Sequence, residues 1–286
     1  MNVQHSATPL GAEITGLDLA QPIDEATFRA IEDVFHDRGV VVFRDQQLTE
    51  EEHIAFSRRF GELEIHVAKQ WLKPGHPEIL VLSNVIENGR PLGVADGGQF
   101  WHSDLSFVAS PSRCSLLYAI EVPTQDGRVL GETVFASAVH AYDTLPDRLK
   151  ARLEGVRAVH RYADRYKKQQ DAGGREPLSE EQLKTVPDVS HPVIRAHPLT
   201  GRKVLFVNEG FTVFIEGMTH TGSNSLLQEL FTHIIRPEAL YTHQWHQGDL
   251  LMWDNCLVQH CAIRNYELPL RRLMHRTTVA GPRRSP

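Results

Sequence analysis

Apolar and polar positions alternate along this chain in short blocks, and only a few blocks carry helical spacing. Residues 10–22 alternate well enough to predict an opening strand. Asp24 stands where an N-cap belongs, ahead of Phe28, Ile31, Val34 and Phe35 at helical spacing, and Gly39 ends that helix. Residues 40–43 form a fully apolar strand. Thr49 and Glu52 fit a capping box that starts a second helix running to about residue 60. Residues 78–85 predict a buried strand, and 87–99, with four glycines and a proline, a mobile loop. Strands follow at 115–122 and 132–135, then one helix over 138–155 with Tyr142, Leu145, Leu149 and Leu153 on one side. Residues 163–189 are the most polar part of the chain and predict an exposed insertion or lid. Residues 193–196 and 203–207 predict strands joined by a turn, and Ser223 caps a helix carrying Leu226, Leu227, Leu230, Phe231, Ile234 and Ile235. The last third is strands, near 241–246, 249–253 and 271–279.

No internal repeat or dividing linker is visible. Many short strands with a few helices outside them predict one mainly-β domain over 1–286, a sandwich or jelly roll with peripheral helices. The 286 residues, 41% of them hydrophobic, suffice for a sizeable core. A net charge of −6 argues against a general nucleic-acid binder, which needs a basic face. No apolar run approaches the roughly 18 residues of a membrane span, and the first residues predict no signal peptide. Cys114, Cys256 and Cys261 form no Cys-x-x-Cys pair, so reduced thiols in a cytoplasm are expected.

The chemistry concentrates in residues 100–107, Phe-Trp-His-Ser-Asp-Leu-Ser-Phe. In a strand, His102 and Asp104 project from one face and reach one point. Two histidines and a carboxylate suit a non-haem Fe(II) centre with open positions, and His260, in a second apolar stretch, is the best third ligand. On residue chemistry alone, a hydrogen-bonded core histidine beside an exposed aspartate remains the alternative. His76-Pro77-Glu78 is a poorer clamp because of its proline, and His243 and His246 would face opposite sides of a strand. In 271–279, strand period places Arg272, Met274 and Arg276 on one face and Arg271, Leu273 and His275 on the other. Two arginines beside a ligand candidate suit an anion, because guanidinium grips a carboxylate through two parallel hydrogen bonds. A solvated edge strand is the other reading.

His102-x-Asp104, then His260, then the strand bearing Arg272 and Arg276 resembles the Fe(II)/2-oxoglutarate-dependent dioxygenases, in particular the taurine dioxygenase and 2,4-dichlorophenoxyacetate dioxygenase group. The likeness extends through Pro9 to Gly16, Arg59 to Leu63, Phe206 to Phe211 and Trp253-Asp254-Asn255. It implies a double-stranded β-helix with iron at one mouth, held by His102, Asp104 and His260. It implies that Arg272 and Thr133 bind 2-oxoglutarate, that Arg276 and His66 bind a substrate head group, and that Phe211 and Tyr166 wall the pocket. The family's chemistry consumes O2 and 2-oxoglutarate, releases succinate and CO2, and hydroxylates a small molecule.

Where taurine dioxygenase has an asparagine and a tyrosine near its substrate amine, this chain carries Gly97-Gly98 and Gln70-Trp71. One residue is inserted in the loop at Arg264-Asn265-Tyr266. The resemblance therefore implies an anionic substrate other than taurine: a sulfonate, sulfate ester or carboxylate. Asp104 argues against halogenation, since related halogenases lack that carboxylate. Homo-oligomers are common among such relatives. A noncatalytic protein sensing 2-oxoglutarate or metal through the same pocket, and a zinc hydrolase, are the alternatives; a hydrolase needs a general base near its water, which Arg272 and Arg276 do not supply.

Overall fold

Alternation along the central strands decides the layering. The computed structural model of the chain describes residues 1–95, 97–171 and 177–281. Eight strands make the large sheet, in the order Asn2–His5, Ala12–Thr15, Val40–Phe43, Leu250–Asp254, Cys114–Glu121, Leu273–Val279, His76–Ser83 and Leu72–Lys73. Only the pair Ala12–Thr15 with Val40–Phe43 is parallel. Val40, Val42, Leu117, Leu251, Trp253 and Met274 point to one face. Val41, Phe43, Leu116, Leu250 and Met252 point to the other. Both faces are covered, which is why residues 40–43 carry no polar position.

The second face packs against the helices Glu25–Arg38 and Glu50–Arg58 through Phe28, Ile31, Phe35 and Phe56. Both helices start as their sequence predicts. Asp24 accepts from the Thr27 amide, and Thr49 with Glu52 forms a reciprocal capping box. Gly39 closes the first helix at φ 67°, a left-handed position that costs a glycine little. The first face packs against a three-stranded sheet ordered Leu240–His243, Thr133–Ser137, Val258–Ala262, with Phe135 and Val258 in the shared core. Two sheets meeting through interdigitated inner faces give the expected jelly-roll sandwich.

Three local expectations change. The helix over 138–155 is two helices, Ala138–Asp143 and Asp147–Leu153. Pro146 separates them, because it lacks an amide hydrogen and pushes its predecessor toward extended backbone. The last long helix, His220–Ile234, is capped by Thr219 rather than Ser223. Ser223 lies inside it, fully buried, and its hydroxyl accepts from the Ile215 amide. Residues 100–107 are not a strand: His102 makes a single bridge to His260, and a turn follows with Leu105 at φ 53°.

The polar span 163–189 contains most of the helix Tyr162–Asp171 and all of Glu180–Thr185, neither with a fully buried residue. Its positions 172–176 fall outside the described residues. No helix among the described residues is long and apolar enough to cross a membrane. All three cysteines are free, two of them buried.

Candidate metal centre

Backbone pairing brings the two histidines together. The His102 amide donates to the His260 carbonyl at 3.1 Å and the His260 amide to the His102 carbonyl at 2.8 Å. Residues paired in this way project on the same side, and the two ring centroids lie 4.1 Å apart. Asp104 arrives through the turn rather than by strand alternation, with Oδ1 3.6 Å from His102 Nε2. Ligand atoms of His102, Asp104 and His260 all lie within 4.8 Å of one another, and all three residues are buried.

The protonation states suit a cation. His102 Nδ1 donates to the Phe100 carbonyl at 2.8 Å, which orients the ring and leaves Nε2, on the Asp104 side, as the atom able to bind a metal. Burial, reinforced by His102 and Arg276, holds His260 well below the usual imidazole range, and its buried Nδ1 finds no hydrogen-bond partner. Burial would raise the Asp104 carboxyl, but Arg276 and the two histidines outweigh it and hold it well below the usual carboxylate range. An unprotonated His260 beside an ionised Asp104 is the state a divalent metal requires of these two ligands. The donor set therefore fits the iron implied by the sequence.

A second trio, His197, Asp254 and Cys256, is as compact but already spent. His197 Nε2 donates to Asp254 Oδ2 at 3.0 Å, while its Nδ1 accepts from the Thr200 amide at 3.0 Å. Asp254 Oδ1 accepts from the Cys256 amide, and burial pushes the Cys256 thiol up to about 12. This trio shapes a turn.

The surroundings of Arg272 adjoin the His102–Asp104–His260 trio. Thr133 and Phe135 share one face of the small sheet, and Phe135 pairs with His260. The Thr133 and His260 side chains thus stand on the same side, about 7 Å apart along the strand direction. Trp245 Nε1 donates to Thr133 Oγ1 at 3.1 Å, and the Arg272 guanidinium lies 5.9 Å from the Trp245 ring. Asn84 Oδ1 accepts from the Arg272 amide and Ser83 Oγ donates to its carbonyl, clamping the backbone. The side chain is buried, its Nε has no partner, and no carboxylate forms an ion pair with it among the described residues. Burial pulls this guanidinium below its ordinary value, with Tyr266 opposing. A Cβ at Gly131 would come within 2.8 Å of the Tyr266 ring and 3.4 Å of Arg272 Cδ, so the wall of this pocket has no room for one.

Arg276 lies on the same inner face as Met274, and its Nη1 donates to Asp104 Oδ1 at 3.0 Å. On the outer face, Leu273 and His275 line a separate cavity of about 680 Å³ with His53, Lys73 and Tyr118. The alternation expected for 271–279 therefore holds. His66 is half-buried in a turn where its Nδ1 accepts from the Ala68 amide. That turn follows Glu64, whose amide is bonded to the Thr278 carbonyl of the Arg276 strand. Phe211 sits 6.1 Å from the His102 ring, 5.8 Å from Phe100 and 4.7 Å from Phe107. The Tyr162 ring lies tilted 4.6 Å from Phe107, and Tyr166 joins this wall one ring further out, 5.8 Å from Tyr162. Phe100, Phe107, Tyr162 and Trp245 carried no signal of their own in the sequence beyond being aromatic.

Comparison with known proteins identifies the family. The chain is 36% identical over 284 residues to an alpha-ketoglutarate-dependent 2,4-dichlorophenoxyacetate dioxygenase of Burkholderia sp. (strain RASC), covering 95% of this chain and 91% of that one. It is 30% identical over 290 residues to an alpha-ketoglutarate-dependent sulfate ester dioxygenase of Pseudomonas putida, covering 98% and 90%. The solved structure of AAD-2 in complex with Mn(II) and N-oxalylglycine superposes with a TM-score of 0.80 at 30% identity, covering 99% of this chain and 98% of that one. The family model described as "Taurine catabolism dioxygenase TauD, TfdA family" matches residues 2–278. With nearly its whole length matched, the chain belongs to the TauD/TfdA family of 2-oxoglutarate-dependent dioxygenases.

Proposed function

We propose that this protein is an Fe(II)- and 2-oxoglutarate-dependent dioxygenase that hydroxylates a small anionic organic molecule and releases succinate and CO2. The observation that carries the reading is a compact, buried His102–Asp104–His260 trio beside a buried guanidinium, Arg272, that has no carboxylate partner among the described residues. A buried cation without a counter-charge is costly, and a dicarboxylate co-substrate would neutralise it.

In this reading His102, Asp104 and His260 hold the metal on one face. Iron bound there supplies O2 activation coupled to oxidative decarboxylation of 2-oxoglutarate. Arg272 grips the distal carboxylate, positioned by the Asn84 and Ser83 clamp on its backbone. The Thr133 hydroxyl already accepts from Trp245, so its own hydrogen is left to donate to that carboxylate. Arg276, with His66, takes the substrate's anionic group: a carboxylate, sulfonate or sulfate ester. Phe211 and Tyr166, with Phe107 and Tyr162 between them, hold an apolar body and keep water from the reacting carbon. Oxidation of a carbon bearing oxygen or sulfur gives a product that collapses to a carbonyl and expels its heteroatom group. The free cysteines fit a reducing compartment, and the cytoplasm is the proposed location.

The test is anaerobic reconstitution with Fe(II) and 2-oxoglutarate, followed by O2 and a succinate assay over aryloxyacetates, alkyl sulfates and alkyl sulfonates. Succinate release stimulated by at least one of them, and lost in His260→Ala, is the expected result. Binding of 2-oxoglutarate with no succinate from any of them would make the protein a sensor instead.

A further inference from the structure

Asp104 reaches the metal cluster from a turn whose next residue, Leu105, is at φ 53°, so the strand geometry that would aim it is absent. What aims it lies around Asn255. The Asn255 Oδ1 accepts from Trp253 Nε1 at 2.9 Å and from the Asp104 amide at 3.3 Å. Both partners are obligate donors, which fixes the amide orientation. Its Nδ2 must then donate, and it does so to Ser112 Oγ and Ser115 Oγ, each at 3.0 Å. With their lone pairs engaged, both hydroxyls turn their hydrogens to the same residue. Ser112 donates to the Asp104 carbonyl at 2.9 Å, and Ser115 donates to Asp104 Oδ2 at 2.6 Å. Ser103 Oγ closes the ring onto the Asn255 carbonyl. Water is excluded from the network: Asn255, Ser103, Ser112, Ser115 and Trp253 are each 2% exposed or less.

We propose that Asn255 and Ser115 are positioning residues that hold Asp104 as a one-oxygen metal ligand. Ser115 occupies Oδ2, whereas Oδ1, which accepts from Arg276 Nη1 at 3.0 Å, is the atom 3.6 Å from His102 Nε2. A carboxylate held in this way cannot rotate to offer both oxygens, so a metal held there would keep room for co-substrate. The inference rests on Asp104 being a metal ligand, and partners of this kind are worth about 10–100-fold in metal affinity.

The experiment titrates the full-length, metal-free protein with Co(II) under anaerobic conditions and records affinity and the d–d absorption bands. The set is wild type, Ser115→Ala, Asn255→Ala, the double variant and Ser57→Ala. Ser57 is equally buried and its hydroxyl bonds His53 and Thr277, away from Asp104, so it controls for the general cost of losing a buried hydroxyl. Ser115→Ala and Asn255→Ala should each weaken Co(II) binding by about 10–100-fold and shift the bands, while Ser57→Ala changes neither. The double variant should lose little more than either single one, because the two residues act in series. Ser115→Ala with wild-type affinity and spectrum overturns the inference, whether or not Asn255→Ala folds. A wild-type protein that binds no Co(II) overturns the metal reading itself, and the positioning role falls with it.

Discussion

Arg276 Nη1 donates to Asp104 Oδ1 at 3.0 Å, tying the last strand to a turn 172 residues earlier. The two side chains are 12% and 6% exposed, so the pair is part-buried. Removing one partner of such a charged hydrogen bond leaves the other uncompensated, at a cost of about 1.5–3 kcal/mol. Arg276→Ala should lose that much in urea unfolding of the metal-free protein at neutral pH. It should also raise KM for the anionic substrate at least tenfold. A variant with unchanged stability and KM would remove Arg276 from both roles.

Arg272 invites the opposite outcome. Its guanidinium is buried with no carboxylate partner among the described residues, so the fold without co-substrate bears an uncompensated charge. Arg272→Met should raise the Tm of the co-substrate-free protein while abolishing 2-oxoglutarate binding. At 100 times its Kd, 2-oxoglutarate should stabilise the wild type by about 2.7 kcal/mol and the variant not at all. Thermal unfolding with and without 2-oxoglutarate checks both halves.

Acid should weaken the fold through buried imidazoles away from the metal cluster. Burial pushes His53 and His160 down to about 3 and His275 down to about 4. Between pH 6.5 and those values the unfolded chain has bound protons that the folded chain refuses, so stability falls as pH falls. Each contributes roughly 1.4 kcal/mol per pH unit in that window. His160→Gln removes one such group. Its stability relative to wild type should therefore rise between pH 7.5 and pH 5, as measured by urea unfolding at each pH. A constant difference would mean that His160 takes up its proton as readily in the fold as in the unfolded chain.

Thr219 and Ser223 separate two roles that a hydroxyl can play at a helix start. Thr219 caps the helix from an exposed position, and Thr219→Ala should cost about 1 kcal/mol. Ser223 is buried and is the acceptor for the Ile215 amide. Ser223→Ala leaves that donor unmet, at about 1–3 kcal/mol. Chemical denaturation of the two variants should rank Ser223→Ala as the more damaging.

The same pair of residues shows what the sequence made legible. Local devices were readable: the Asp24 cap, the Thr49–Glu52 capping box and the Gly39 stop each act over a few residues. Residues 219–225 hold several hydroxyl side chains able to cap, and only the packing of Ile215 against the helix selects among them. His102 and Asp104 were identified by residue type, but the strand invoked to aim them does not exist. Their convergence depends on the bridge to His260 and on Ser115 and Asn255, contacts between segments far apart in the chain. The pocket around Arg272 was likewise visible as a charge on a strand, whereas its neighbours Trp245 and Tyr266 come from distant loops and leave no periodic trace. Apolar spacing continues straight across Pro146, so periodicity alone does not reveal that 138–155 holds two helices.

His102 and His260 are joined through amide and carbonyl groups to which no side chain contributes. The frame is thus indifferent to what either position carries. A lineage descended from this chain can trade one imidazole for a different donor, or give it up altogether, and inherit the scaffold intact. Chemistry here is detachable from architecture, and new reactivity on this fold requires no new way of folding.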